Sequence, residues 1–148
     1  MLKSFFTPSD DSNLTSFGLL VLRLWFGLAM FVNHGLDKLR HFGDLAGHFA
    51  DPLGIGPKAS FTLVMFAEVV GALLIVVGLL TRFAALILVV DMGVAFFMVH
   101  KTALGGPHSG ELAFIYLAGY VVILLAGAGS MSADKAAFSH QSKPSAKH

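Results

Sequence analysis

The chain has 148 residues, a length that suits one domain, but 55% of them are hydrophobic and only 13% are charged. A soluble domain carries about a quarter charged residues, so this composition argues strongly against a water-soluble globule. A formal net charge of +1, without a basic block or a phosphate-binding glycine loop, gives no reason to expect nucleic acid or nucleotides. The absence of cysteine excludes disulfide bonds, thiolate metal sites and thiol–disulfide catalysis by the chain itself.

Four apolar segments have the length of a transmembrane helix, which takes roughly 17–25 residues. Residues 1–15 are polar and lack the layout of a signal peptide, so we expect them to remain as a tail. We expect residues 16–129 to form one transmembrane domain and residues 130–148 to be a disordered polar tail. The predicted spans are about Ser16–His34, Ser60–Leu80, Phe83–His100 and Glu111–Ala128.

Residues 35–59 form the longest connection between predicted spans. Its apolar residues recur at helical spacing on one side, which predicts an amphipathic helix at the membrane surface that ends at Asp51-Pro52. These residues are Leu36, Leu39, Phe42, Leu45, Ala46, Phe49 and Leu53. The predicted fold is therefore all-α, with four transmembrane helices in an antiparallel bundle and a surface helix between the first and second.

Histidine and aspartate repeat along that connection with a period of seven. His34, His41 and His48 are each followed three residues later by an aspartate, namely Asp37, Asp44 and Asp51. Histidines seven apart on a helix are about 10 Å apart, too far to share a metal ion. We interpret the repeat as the wet face of the surface helix and assign no metal site. A proton or metal role for His41 with Asp37 or Asp44 stays open as the alternative.

Three charged residues lie well inside the predicted spans: Arg23, Glu68 and Asp91. A charge at mid-membrane costs about 2.5–3.5 kcal/mol on insertion scales, so such residues usually have partners or a function. In an antiparallel arrangement all three lie at similar depth, and we predict that they form one intramembrane charge cluster. The cluster is either a polar clasp that fixes helix packing or a site for a ligand or proton.

A second group of polar residues gathers towards the loop-bearing end of the bundle. Tyr116 and Tyr120 are four residues apart, so both can face one interior. A space with apolar walls and a polar end would suit a carbonyl headgroup with an isoprenoid tail. Interfacial anchoring or core packing is the alternative for the tyrosines. The candidate ligand or quinone-lining residues are His34, Lys38, His100, Glu111, Tyr116 and Tyr120.

Several phrases of this sequence resemble the DoxX family of small four-helix membrane proteins. They are Arg23, Gly27 and His34-Gly35-Leu36-Asp37-Lys38-Leu39, then Glu68, Gly71 and Gly78-Leu79-Leu80-Thr81-Arg82, then Gly110-Glu111-Leu112-Ala113 with Tyr116-Leu117-Ala118, and finally Gly127, Gly129, Ser132 and Asp134. The resemblance implies a protein of the prokaryotic inner membrane, in a family whose relatives occur in quinol oxidases and thiosulfate:quinone oxidoreductases. It implies no uniform chemistry, and His41 and His48 fall outside its pattern.

The functional hypothesis is a small integral membrane subunit of a quinone-linked redox system. The sequence holds no cysteine pair, c-type haem motif or nucleotide fingerprint, so it would be at most an oxidoreductase subunit that depends on a bound quinone or a redox partner. The expected partners are the bilayer, a soluble or membrane redox protein and further copies of the chain. The alternatives are a proton-coupled carrier or channel and a non-catalytic scaffold for a soluble enzyme. Five lysines and arginines on the terminal side against four opposite favour cytoplasmic termini.

Overall fold

The computed structural model describes residues 12–138, and these are all-helical, without a strand. Three helices are long and apolar enough to cross a membrane: α1 (Asn13–Arg40), α3 (Pro57–Val77) and α4 (Thr81–Val99). The apolar helix α5 (Glu111–Ala126) is shorter. Two short helices complete the described chain, α2 (Phe42–Leu45) and α6 (Ala133–Phe138). The all-α class is confirmed, and the long helices overlap the spans that the sequence predicts.

Helix α1 is longer than its predicted span. It was expected to end at His34, but it continues to Arg40 because Gly35 keeps helical dihedral angles and packs on the backbone of α3. The chain leaves the helix at His41 (φ −107°, ψ 25°) and makes only the single turn of α2. The predicted surface helix is therefore divided: its first part extends α1, and beyond His41 Gly43 and Gly47 disfavour a continuous helix.

The connection between α1 and α3 folds over the start of α3. The rings of Phe42 and Phe49 make edge contacts with the ring of Phe61, at centroid distances of 5.5 and 5.1 Å. Phe61 is fully buried by this arrangement. The apolar side of the connection thus packs partly on the protein, while Leu39, Leu45 and Leu53 stay exposed.

Helices α1 and α3 pack closely through glycine. A Cβ atom on Gly27 would lie 2.6 Å from Val76 Cγ2, and one on Gly35 would lie 2.8 Å from the carbonyl oxygen of Glu68. Because a later residue of α1 meets an earlier residue of α3, the two helices run in opposite directions. Small residues at such contacts are the usual way for membrane helices to approach each other. Helix α5 packs on α1 and α4, and α4 packs on α3.

The outer surface of these helices is strongly apolar. Trp25 is 74% exposed and Leu125 is 73% exposed, and many large aliphatic and aromatic side chains on α1, α3, α4 and α5 are exposed with them. Contiguous apolar surface of this kind is not stable against water and indicates contact with a lipid bilayer.

Residues 130–138, which the sequence assigned to a polar tail, fold back onto the helices. The Ser130 N–H donates to Ser16 Oγ at 3.0 Å, and the Asp134 N–H donates to the carbonyl oxygen of Gly78 at 2.8 Å. Gly78 has φ +74°, a left-handed conformation that suits glycine, and it ends α3 there. Residues 1–11 and 139–148 of the predicted tails lie outside the described residues.

Candidate functional site: an interior cavity

A cavity of about 740 Å³ lies between α1, α3, α4 and α5, and the connection before α3 covers part of it. Its walls are chiefly apolar, with Met30, Leu63, Ile87, Met92 and Ala113 among them. Each of the three long helices contains a π-helical segment beside the cavity, and each segment contributes lining residues. The segments are Phe31–Gly35, Ala67–Gly71 and Ala95–Val99. Such π-helical turns frequently occur at functional sites, because they redirect side chains within a helix.

The charged centre of the cavity is an ion pair between α1 and α3. Lys38 Nζ lies 2.7 Å from Glu68 Oε2, and the two side chains are only 16% and 4% exposed. The close approach of Gly35 to the Glu68 backbone brings the two helices near enough for this contact. Because both charges are removed from water, each depends on the other for compensation.

Asp91 on α4 lines the same cavity. Its Oδ2 atom is buried and has no hydrogen-bond partner among the described residues. Glu68 and Lys38 are close enough to act on it electrostatically. We call Lys38, Glu68 and Asp91 the cavity triad: two carboxyl groups and one ammonium group that line the same cavity.

The structure brings Glu68 and Asp91 together, but it places Arg23 elsewhere. Arg23 is fully buried, and its guanidinium donates to the carbonyl oxygens of Ile75 and Met131. Ile75 lies seven residues beyond Glu68, about 10 Å along α3. The similar depths expected from sequence were those of the backbone, whereas the long arginine side chain extends towards the terminal end of the helices.

His34 and Tyr116 form the aromatic side of the cavity. Their rings meet edge to face at a centroid distance of 5.7 Å, and both residues line the cavity. His100 lines it from the end of α4, and its Nδ1–H donates to the carbonyl oxygen of His108 at 3.0 Å. Four of the six candidate lining residues, His34, Lys38, His100 and Tyr116, therefore contribute to one cavity.

The other two candidates, Tyr120 and Glu111, do not line it. Tyr120 is fully buried, and its hydroxyl donates to the Phe26 carbonyl oxygen at 3.3 Å. Its ring stacks on Tyr116 at a centroid distance of 6.0 Å, so it supports the wall from behind. Core packing, the alternative that the sequence left open, describes Tyr120. Glu111 is exposed at the start of α5.

The histidine and aspartate repeat divides between different environments. His34 faces the cavity, whereas His41 and His48 are exposed, and His41 Nδ1 lies 3.1 Å from Asp37 Oδ1. Within residues 12–138 there is no group of three or more His, Cys, Asp or Glu residues that could hold a metal ion.

Asp51, the last residue of the repeat, orders the turn before α3. Its carboxylate accepts hydrogen bonds from the Ser60 hydroxyl at 2.7 Å and from the N–H groups of Gly56 and Ile55 at 2.8 and 3.1 Å. The Ser60 hydrogen bond lowers the pKa of Asp51 below its usual value; burial opposes this, and the backbone donors add to it. Asp51 thus has a structural role that the repeat did not indicate.

Sequence reasoning named Lys38 as a candidate but missed its pairing with Glu68. The prediction ended the first helix at His34 and so placed Lys38 on a surface helix. A signal was present, because Lys38 follows His34 by four residues and continues the face of α1 on which Met30 also lies. Reading that face beyond Gly35 would have placed the lysine beside the interior carboxylates.

These features define a class: a helical membrane protein with an apolar exterior and a mainly apolar cavity that holds a few charged and polar groups. The chain belongs to the DoxX family, whose model matches residues 18–101, more than half of its length. The match includes α1 from Gly18 onwards and all of α3 and α4, and therefore the whole cavity triad, but not Tyr116 on α5.

Two uncharacterized proteins of Haemophilus influenzae are similar to this chain. One is 32% identical over 120 residues, which cover 74% of this chain and 83% of that protein. The other is 28% identical over 122 residues, which cover 78% of this chain and 80% of that protein. No solved structure matches the chain significantly.

Proposed function

We propose that this DoxX-family protein is a small integral membrane subunit of a quinone-linked redox system and that its interior cavity binds the quinone. The cavity carries the proposal: apolar walls suit an isoprenoid tail, and the polar groups of Lys38, His34 and Asp91 suit a carbonyl headgroup. Ligand sites of this size are commonly apolar pockets with a few convergent polar groups.

In this proposal α1, α3, α4 and α5 form an antiparallel four-helix bundle across a prokaryotic inner membrane. Helix α5 has 16 residues and spans about 24 Å, somewhat less than the hydrocarbon thickness of about 30 Å. Packing on α1 and α4 and local thinning of the bilayer accommodate such a difference. Four spans place both termini on one side, which we propose to be the cytoplasm.

The chain supplies a binding site rather than a redox centre of its own. It contains no cysteine, so electrons would pass between the quinone and a partner protein. In this role the cavity positions the headgroup near the loop-bearing end, where a redox partner, or a further copy of the chain, would dock.

Purification in a mild detergent, followed by mass spectrometry of bound lipids and quinones, tests the proposal. Ala113 lines the cavity and Ala118 is exposed on the same helix. We expect quinone to accompany the wild-type protein and Ala118→Leu, and to be reduced at least fivefold in Ala113→Leu, which projects a larger side chain into the cavity. Equal amounts in both variants, or none above the level of a control membrane protein, would contradict the proposal.

A second candidate function is a proton-coupled carrier. The unpartnered Asp91 oxygen beside a buried ion pair favours it, because such a group can take up and release a proton. The carrier predicts a proton flux in proteoliposomes that is lost in Asp91→Asn, whereas a quinone-binding subunit produces no flux in either protein.

A further inference from the structure

More carboxyl groups than permanent cations line the described part of the cavity. Lys38 is the only lysine or arginine among the described residues that line it, whereas two carboxyl groups, Glu68 and Asp91, face the same space. One ammonium group balances one carboxylate. The second carboxyl group must therefore hold a proton, recruit a bound cation or remain an uncompensated charge.

The ion-pair geometry shows which carboxyl group is left over. Glu68 Oε2 lies 2.7 Å from Lys38 Nζ, whereas among residues 12–138 Asp91 has no lysine, arginine or histidine nitrogen at ion-pair distance, and its Oδ2 atom is buried. A buried ionised carboxylate without a partner is costly, and a neighbouring carboxylate raises the cost further.

Among residues 12–138, no permanent cation other than Lys38 lines the cavity that Asp91 faces. Beside the lysine, α1 presents His34, α3 presents Glu68 and α5 presents Tyr116, while His100 lies at the end of α4. The Nδ1–H of His100 already donates to the carbonyl oxygen of His108. A proton on Asp91 is therefore the simplest compensation that the described residues allow.

We propose that Asp91 carries a proton and donates it in a hydrogen bond to the headgroup of the bound molecule. This inference rests on the proposed function and specifies its ligand class: a neutral lipophile with a carbonyl acceptor. The Lys38–Glu68 pair is already neutral as a unit, so it gives an anionic headgroup no net attraction. A lipophilic cation would have to displace the proton of Asp91.

Two substitutions at Asp91 distinguish the effect of a hydrogen-bond donor at this position from the effect of a carboxylate charge. Asp91→Asn keeps the shape and an N–H donor without a charge, whereas Asp91→Leu removes the donor. We expect the full-length protein in mild detergent to bind a short-tailed benzoquinone within about threefold of the wild-type affinity in the first variant. In the second variant the affinity should fall about tenfold or more, because the quinone carbonyl loses its partner. The exposed Asp44 provides matched controls, Asp44→Asn and Asp44→Leu, which should leave binding unchanged.

Calorimetry in buffers with different ionisation enthalpies counts the protons exchanged on binding. A neutral quinone should bind with no net proton exchange, because the donor is already protonated, and a lipophilic phosphonium cation should bind more weakly and release one proton. Uptake of a proton with the quinone would overturn the inference, and so would a tenfold or greater loss in Asp91→Asn. The asparagine variant and the proton count decide the question even if Asp91→Leu does not fold. Absence of quinone binding to the wild-type protein would instead remove the proposed function, and this inference with it.

Discussion

Two largely buried cations of helix α1 have different kinds of partner: Arg23 towards the terminal end of the helices and Lys38 towards the loop-bearing end. At the terminal end Arg23 is fully buried and donates to the backbone carbonyl oxygens of Ile75 and Met131. At the loop-bearing end Lys38 pairs with the side chain of Glu68, and both face open space. Backbone partners cannot leave, whereas side-chain partners can exchange for a ligand. The first arrangement suits stability and the second suits binding.

At the terminal end, residues from distant parts of the sequence contact one another. We call this group the terminal cluster: Arg23, Met131, Asp134 and the turn from Gly78 to Thr81. The Asp134 carboxylate accepts from the N–H groups of Leu80 and Thr81, at 2.7 and 3.0 Å, where α4 begins. A Cβ atom on Gly78 would collide with the Arg23 guanidinium. Through these hydrogen bonds and close contacts, the C-terminal segment packs on both helix α1 and the turn between α3 and α4.

The largest expected effect is at Arg23. Replacing it with leucine removes the donors to the carbonyl oxygens of Met131 and of the fully buried Ile75, and it removes the positive charge that faces Asp134. Arg23→Leu should therefore lower the unfolding free energy by about 3 kcal/mol. Thermal or denaturant unfolding in detergent measures this. Arg82→Leu is the control, because Arg82 is exposed and donates to the Leu125 carbonyl oxygen. The loss should be less than about 1 kcal/mol, the value of a single hydrogen bond.

A double-mutant cycle between the two ends tests whether they are independent. If Arg23 belonged to one interior cluster with Glu68 and Asp91, as the sequence alone suggested, then Arg23→Leu and Glu68→Leu would be coupled. Their separate positions lead us to expect additive effects within about 0.5 kcal/mol. A coupling energy well above that value would contradict the conclusion that Arg23 and Glu68 belong to separate sites.

The second prediction concerns the ion pair of the cavity triad. Lys38→Met leaves the carboxylate of Glu68 buried without its partner, so we expect a loss of about 2–3 kcal/mol. In Lys38→Met with Glu68→Gln the buried charge is absent as well, and most of that stability should return. Unfolding of the wild type, both single variants and the double variant in detergent completes the cycle. A double variant as unstable as Lys38→Met would show that the pair is not the source of the loss.

The third prediction is the pH dependence of the terminal cluster. Burial raises the pKa of Asp134, but the hydrogen bonds from Thr81 and Leu80 and the charge of Arg23 outweigh it, so the pKa lies below the usual value. A carboxylate whose folded-state pKa is lowered contributes stability above its unfolded pKa of about 3.9 and loses it as the pH falls through the folded pKa.

Asp134→Asn should therefore cost about 1 kcal/mol between pH 5 and 8, in the range of a helix N-terminal cap, and nothing once the wild-type carboxylate is protonated. Unfolding of both proteins from pH 7 down to pH 3 measures the difference. The exposed Glu111, on helix α5 outside the terminal cluster, provides the control variant Glu111→Gln. A difference that grows as the pH falls would have the wrong sign for this account.

The positions of the helices could be predicted from the sequence better than the interaction partners of their charged side chains. The long apolar runs dictate the all-α fold through hydropathy alone, which is why the spans were predictable. Arg23 could be placed by backbone depth, but the direction of its long side chain depends on Gly78 and Met131, which lie far away in sequence. The role of Asp134 was hidden for the same reason, because its partners precede it by more than fifty residues.

The smallest expected effect is at the exposed histidines of the loop-bearing end. His41 and His48 share the repeat with His34, but of these three only His34 lines the cavity, and His41 makes an ion-pair contact with the exposed Asp37. Exposed pairs contribute little, so His41→Gln with His48→Gln should change the unfolding free energy by less than about 0.5 kcal/mol.

Quinone binding to this double variant should stay at the wild-type level, whereas His34→Gln should weaken quinone binding because that ring packs on Tyr116 in the cavity wall. Metal analysis of the purified proteins completes the test. An ion present in stoichiometric amount in the wild type and absent from the double variant would mean that these histidines are a binding site and not the solvated surface of the loop-bearing end.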